Sequence, residues 1–327
     1  METKAKETPL EKRKFSLVLE KFLLNYSLYA VLAVIIVVFG CLNSNFLTAN
    51  NILNNFDKYA YLLVCACGTT IVLCGGGFDL STGGTLAALT VLGAEVMTYT
   101  QNIPLAIVIT VMGGALIGAV NGFLIVKFNL VAFLETIAMG YVVRGLAQYY
   151  TQSITISGLP SRFTGFAWNR FLGVPMLIWV GLIVFGVMVY VLHHTGYGRK
   201  VFAVGGNHVA ANIMGISDKK VSVSIYALAG ALCGIGAVMA MAKSGVARAT
   251  TGANLQMYCT AVAVIGGTSL KGGHGNLFGT LVGVAIYSLI ISGLNAMGID
   301  AFWQEIMTGA IIIVAAMIDS YKTRNNA

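Results

Sequence analysis

Apolar residues run along the chain in blocks of about twenty, separated by short polar or glycine-rich stretches. A bilayer core of roughly 30 Å takes about 20 apolar residues in a helix. That ruler predicts ten membrane segments, at about 26–42, 59–75, 82–99, 104–126, 130–150, 174–192, 221–242, 255–268, 276–296 and 302–319. The eighth is short and ends in glycine, which predicts a broken or re-entrant helix. The fold class that follows is all-α, a polytopic membrane protein of about ten transmembrane helices. It divides into an N-terminal segment 1–25, one transmembrane domain 26–320 and a tail 321–327.

Composition agrees with the pattern. Of the 327 residues 57% are hydrophobic and 10% charged, with a mean hydropathy of +0.82. Soluble domains carry about 25% charged residues, so this chain lacks the polar surface to face water all round. Glycine is frequent (39) and proline rare (4), as close packing of helices in lipid requires. The net charge of +8 does not gather on one polar face, which argues against nucleic acid as a partner.

The basic residues lie instead between the apolar runs. With a cytoplasmic N-terminus, fourteen Lys and Arg fall inside and five (Lys58, Arg162, Arg170, Lys243, Arg248) fall outside, while Arg144 stays within the fifth segment. That bias predicts both termini in the cytoplasm. No cleavable signal peptide is apparent, because 1–21 is polar and basic and the next apolar run is long enough to stay as an anchor. The cysteines (Cys41, Cys65, Cys67, Cys74, Cys233, Cys259) form no CxxC pair and no ligand spacing, so packing is expected of them. His193 and His194 have no carboxylate or cysteine at ligand spacing and read as interfacial. No metal or cofactor is expected.

Two loops are long. The outer loop 151–173 is large enough to meet an extracytoplasmic partner. The inner loop 193–220 reads HHTGYGRKVFAVGGNHVAANIMGISDKK. In it Gly205 and Gly206 allow a tight turn, Asn207 is a good N-cap and Gly215 a natural stop. A capped mini-helix over 207–215 is predicted, with an apolar stripe of Val209, Ile213 and Met214. It is either a helix lying on the membrane surface or a knob that docks into another protein.

Two apolar segments end in similar breaks, VLCGGGFDLSTGGTLAAL at 72–89 and AVIGGTSLKGGHGNLFGTL at 263–281, which suggests a parallel internal repeat. A carboxylate at membrane depth needs a partner or a cavity. Asp79 is therefore expected on the translocation path or in a network closing the inner mouth, unless Asp79 and Ser81 merely cap the third helix. Asn121, Glu135 and Arg144 also lie in apolar segments. Glu135 and Arg144 are nine residues apart and need separate partners. GxxxG spacings at Gly114/Gly118, Gly118/Gly122, Gly230/Gly234 and Gly279/Gly283 predict tight helix contacts.

No GxxxxGK[ST], HExxH or GxSxG string occurs, so an enzyme is not expected. Transport then has to be driven by an ion gradient or by a separate ATPase. An ion-coupled secondary carrier would use Asp79, Glu135 and Arg144.

The strings GGGFDLSTGG (75–84), NGFLI (121–125), GYGRKVFAVGGNHVAANIMGI (196–216), YALAG (226–230) and IGGTSLKGGHGNLFGTLVG (265–283) carry a resemblance over nearly the whole chain. The chain resembles the bacterial ABC-type permeases for monosaccharides, the ribose, galactoside and xylose family. The resemblance implies a permease fold whose cytoplasmic coupling helix docks into the ATPase, matching Gly205, Gly206, Asn207, Ala210, Ala211 and Gly215. It also implies an ABC ATPase subunit, an extracytoplasmic sugar-binding protein and a second permease subunit, in a homo- or heterodimer within the bacterial cytoplasmic membrane. The expected function is ATP-driven import of a pentose or hexose by alternating access, with a sugar-like autoinducer or nucleoside as alternative cargo. Asp79, Ser81, Asn121, Glu135, Arg144 and Tyr258 are the expected path or gate residues. One departure stands out. Where the family usually carries Glu-Leu-Asp-Ala-Ile-Ala, this chain has Gln256, Met257, Tyr258, Cys259, Thr260 and Ala261, so both acids are gone.

Overall fold

The computed structural model describes residues 28–43 and 46–300, with 302, 303, 305–307, 309, 310, 313 and 317 beyond them. The segments 1–25 and 321–327 expected in the cytoplasm, and part of the tenth apolar segment, lie outside the described residues.

Twelve helices are labelled here. They are α1 (Leu28–Leu42), α2 (Ala49–Cys74), α3 (Thr82–Thr100), α4 (Ile103–Phe128), α5 (Ala132–Thr151), α6 (Ser161–Trp168), α7 (Met176–His194), α8 (Gly196–Gly206), α9 (His208–Ile213), α10 (Asp218–Ser244), α11 (Leu255–Ile265) and α12 (Leu277–Ala296). A two-residue hairpin, β1 (Arg170–Phe171) and β2 (Val174–Pro175), precedes α7. Helix starts follow the side-chain capping rules. Thr48, Asn102, Thr195, Asn207, Ser217 and Asn276 each accept a bond from a main-chain N–H in the first turn.

Each of the first nine predicted segments coincides with a helix. Among the described residues, five helices (α2, α4, α7, α10 and α12) are both long and apolar enough to cross a membrane. The reason for the difference is local. Helix α3 is rich in threonine, and α5 carries Glu135, Arg144, Gln148 and two threonines. Helix α11 has 11 residues, a rise of about 16 Å, well short of the bilayer core.

Helices α2 and α10 sit at the centre and are largely buried, while α4 and α7 lie at the periphery. The outward face of α4 shows Val108, Met112, Leu116, Val120 and Phe123. That stripe suits lipid tails.

The predicted glycine spacings prove to be internal contacts. A Cβ at Gly114 would lie 2.2 Å from the Gly230 carbonyl oxygen, and one at Gly118 would lie 2.0 Å from that of Tyr226. Helices α4 and α10 thus touch main chain to main chain. The same happens between α12 and α11, where a Cβ at Gly279 would meet the Gly266 oxygen at 1.8 Å.

Candidate functional site

Helix α2 stops at Cys74 and α3 starts at Thr82, leaving 75–81 as an irregular segment within the helix bundle. Its main-chain groups cannot rely on water and need side-chain partners. Tyr226 of α10, 2% exposed, supplies two: its hydroxyl donates to the Phe78 carbonyl at 3.0 Å and accepts from the Phe78 N–H at 3.1 Å. Thr136 of α5 accepts from the Leu80 N–H at 3.1 Å.

The acid of this segment is held by its neighbour. Asp79 Oδ1 accepts from the Ser81 N–H (2.8 Å) and from Ser81 Oγ (2.6 Å). Ser81 Oγ in turn accepts from Asn121 Nδ2 of α4 at 3.0 Å. All three residues are buried. Neither Asp79 nor Ser81 caps α3, since no side-chain bond closes its first turn. The capping alternative therefore gives way to a network joining the break, α4, α5 and α10. Both Glu135 oxygens and Asn121 Oδ1 are buried without a partner in the structure.

Among the described residues no side-chain hydrogen bond joins the remaining expected path residues, Arg144 and Tyr258, to this network, although Leu80 of the break also lines the cleft at Arg144. Arg144 of α5 and Gln256 of α11 line a cleft of about 150 Å³ with Gly84, Gly140, Tyr141 and Asn254. Tyr258 packs on Tyr287 of α12 (ring centroids 5.1 Å), which meets Tyr59 of α2 edge-on at 5.9 Å. Six residues grouped by sequence thus divide among three places.

The 193–220 loop folds as expected at its centre and differently before it. Asn207 accepts from the Ala210 N–H at 3.0 Å, α9 follows, and Gly215 has φ +79°, which is the left-handed stop glycine permits. Ala211 is buried, whereas Val209, Ile213 and Met214 are exposed. Asn212 Oδ1 accepts from the Asp218 N–H at 3.2 Å, tying the exposed side chain to the start of α10. Gly205 and Gly206 do not make a turn. They end α8, a helix the sequence reading missed because GYGRK is a weak helix former.

Gly205 has another task. A Cβ there would lie 1.9 Å from the Cys74 carbonyl oxygen and 2.8 Å from the Gly273 nitrogen. A Cβ at Gly272 would meet both the Gly205 oxygen (2.6 Å) and Gly76 Cα (2.7 Å). The Gly273 N–H donates to the Cys74 carbonyl at 3.0 Å. Both glycine-rich breaks therefore meet at the end of α8, immediately before the mini-helix. Tyr197 at the start of α8 bonds Ser224 of α10 at 3.0 Å, and burial raises its phenol pKa above the ordinary range.

At the opposite end of α2 and α10, a cluster was not legible in the sequence. Lys243 pairs with the buried Asp57, and its ammonium stands 4.0 Å above the Trp168 ring of α6. Arg170 of the hairpin bonds Asn50 and Asn54 of α2 at 3.2 and 3.1 Å. An open groove lies beside this loop, between 100–104 and 158–162, and Arg162 lines it.

Comparison with known proteins gives a consistent match. The family model described as "Branched-chain amino acid transport system / permease component" matches residues 51–316. The chain is 34% identical over 300 residues to the ribose import permease protein RbsC of Escherichia coli (strain K12), covering 90% of this chain and 93% of that one. It is 35% identical over 294 residues to the ribose import permease protein RbsC of Bacillus subtilis (strain 168), covering 89% and 91%. It is 30% identical over 320 residues to the D-allose transport system permease protein AlsC of Escherichia coli (strain K12), covering 97% of each. No solved structure matches.

Proposed function

Because the chain belongs to the branched-chain amino acid transport system / permease component family, we propose that it is the permease subunit of an ABC importer for a monosaccharide, a pentose or hexose. Relatives aligned over most of this chain are permeases for ribose and allose. Ten spans, cytoplasmic termini and a place in the bacterial cytoplasmic membrane belong to the same reading. So do a separate ABC ATPase, an extracytoplasmic sugar-binding protein at the 151–173 loop and a second permease subunit. The protein is no enzyme in this reading. ATP is hydrolysed by the partner.

The observation that carries the proposal is the glycine junction. Helix α9 exposes Val209, Ile213 and Met214 to a partner. Immediately behind it, Gly205 rests on the main chain of both breaks. Displacement of α9 by the ATPase would be passed to 75–81 and so to Asp79, Ser81 and Asn121. Glu135, Arg144 and Tyr258 would line the rest of the path. The two subunits would then rock between outward and inward openings. Substrate choice would lie largely with the binding protein, with polar side chains on the path adding a preference of their own.

The test is uptake into proteoliposomes holding the permease, its ATPase and its binding protein. ATP-dependent sugar uptake without an ion gradient is expected. Ile213→Glu, at a side chain 83% exposed, is expected to leave ATP hydrolysis uncoupled from uptake. Normal uptake by that variant would remove the docking role. Uptake driven by a proton or sodium gradient without ATP would favour the ion-coupled carrier, for which the unpartnered Glu135 is the natural coupling group. Screening the binding protein against autoinducers and nucleosides decides the cargo class.

A further inference from the structure

Arg144 carries a charge that the rest of the described molecule leaves unanswered. It stands twelve positions into α5 (Ala132–Thr151), about 18 Å of helical rise from the first residue. Among the described residues the ion pair is Lys243–Asp57, and Arg144 makes neither an ion pair nor a hydrogen bond. The acid on its own helix, Glu135, is nine positions away, about 13 Å of rise. A guanidinium at this depth that faced lipid would be strongly disfavoured, so its face belongs on a polar path.

The cleft is shaped by main-chain contact. A Cβ at Gly84 would lie 2.0 Å from the Gly140 carbonyl oxygen, so α3 and α5 touch. Gln256 lies over Gly83, where a Cβ would come within 2.2 Å of its Oε1. That oxygen is buried and accepts no bond. The polar groups left around the opening are the Arg144 guanidinium, the amides of Asn254 and Gln256 and the Tyr141 phenol. None is an acid. A glutamate at 256 would answer the guanidinium from within, and the amide leaves it open. The volume of about 150 Å³ is below the roughly 300–1,000 Å³ of whole-ligand sites. The cleft therefore takes one edge of a solute. Arginine's planar fork suits a carboxylate, which it binds through two parallel bonds.

We propose that the Arg144–Gln256 cleft is an anion subsite on the translocation path, selecting acidic monosaccharides such as uronic acids over neutral ones. This rests on the importer reading and gives it a substrate class.

The experiment measures equilibrium binding of labelled D-glucuronate and D-glucose to the full-length chain in phosphatidylcholine nanodiscs. Glucuronate is expected to bind about tenfold or more tightly than glucose. Arg144→Gln should remove the preference. Gln256→Glu, which keeps the side-chain volume and neutralises the guanidinium internally, should remove it too, and it decides the matter if Arg144→Gln does not fold. Equal binding of the two sugars by the unaltered chain, or a preference that survives Gln256→Glu, overturns the proposal. A preference abolished by adding phosphatidylglycerol assigns the guanidinium to lipid phosphate and also overturns it. Uptake by the complete complex reads the importer separately. ATP-driven import with no acid preference in the nanodiscs sinks the subsite alone. A preference kept in a carrier that needs an ion gradient and no ATP sinks the importer alone.

Discussion

Tyr226 and Asp79 perform different kinds of work in the same few ångströms. The Tyr226 hydroxyl bonds both main-chain groups of Phe78, so Tyr226→Phe leaves the part-buried N–H without a partner and the carbonyl with only the 3.4 Å bond from the Thr136 hydroxyl. The expected cost is about 2 kcal/mol, read as a lowered midpoint of thermal unfolding in detergent. Asp79→Asn keeps an oxygen for Ser81 and removes the charge. Stability within about 1 kcal/mol of the unaltered chain and impaired uptake are expected. Unimpaired uptake would reduce Asp79 to a structural acceptor. Asp79, Ser81 and Asn121 were legible in the sequence because polar side chains in apolar runs are conspicuous. Tyr226 and Thr136 were not, since a phenol or hydroxyl in such a run reads as packing until its partner is seen. Lys243 is counted on the outer side only from the order of the spans and the overall charge bias. Its mate Asp57 sits in NNFDKY, which reads as a solvated helix start.

At the scale of elements, the glycine spacings announced close approach but not which helices approach. A single sequence gives one face of a contact and no distance to the other, so the α4–α10 seam had to be seen. The same gap explains Gly205 and Gly206, whose pairing suggested a turn. Their surroundings now separate them. At Gly206 a Cβ finds only Gly273 Cα at 3.9 Å, whereas at Gly205 it finds the Cys74 oxygen at 1.9 Å. Gly206→Ala is accordingly expected to keep near-normal uptake, and Gly205→Ala to abolish it or prevent assembly, scored by transport and membrane expression. Equal tolerance at both positions would remove the junction from the transmission path. The mini-helix itself was readable, because cap and stop residues act within one turn and need no tertiary information.

Across the whole molecule, the two ends of the central pair α2 and α10 are built from different materials. One end is closed by charge and aromatic contact: Asp57, Lys243, Trp168 and the Arg170 clamp on α2. Lys243→Met there leaves Asp57 buried and unpaired, at a cost of up to roughly 3 kcal/mol, measurable by thermal unfolding. Asp57→Asn combined with Lys243→Met should recover most of the loss, and failure to recover would mean that the Trp168 contact dominates. The other end, where Gly205 lies on the two breaks, consists of bare peptide. That contact is made by main-chain atoms alone, which carry no charge to titrate and hold no counterion. In the importer reading, acid stress or a salt upshift would therefore act on the Asp57–Lys243 end and spare the main-chain contact at Gly205.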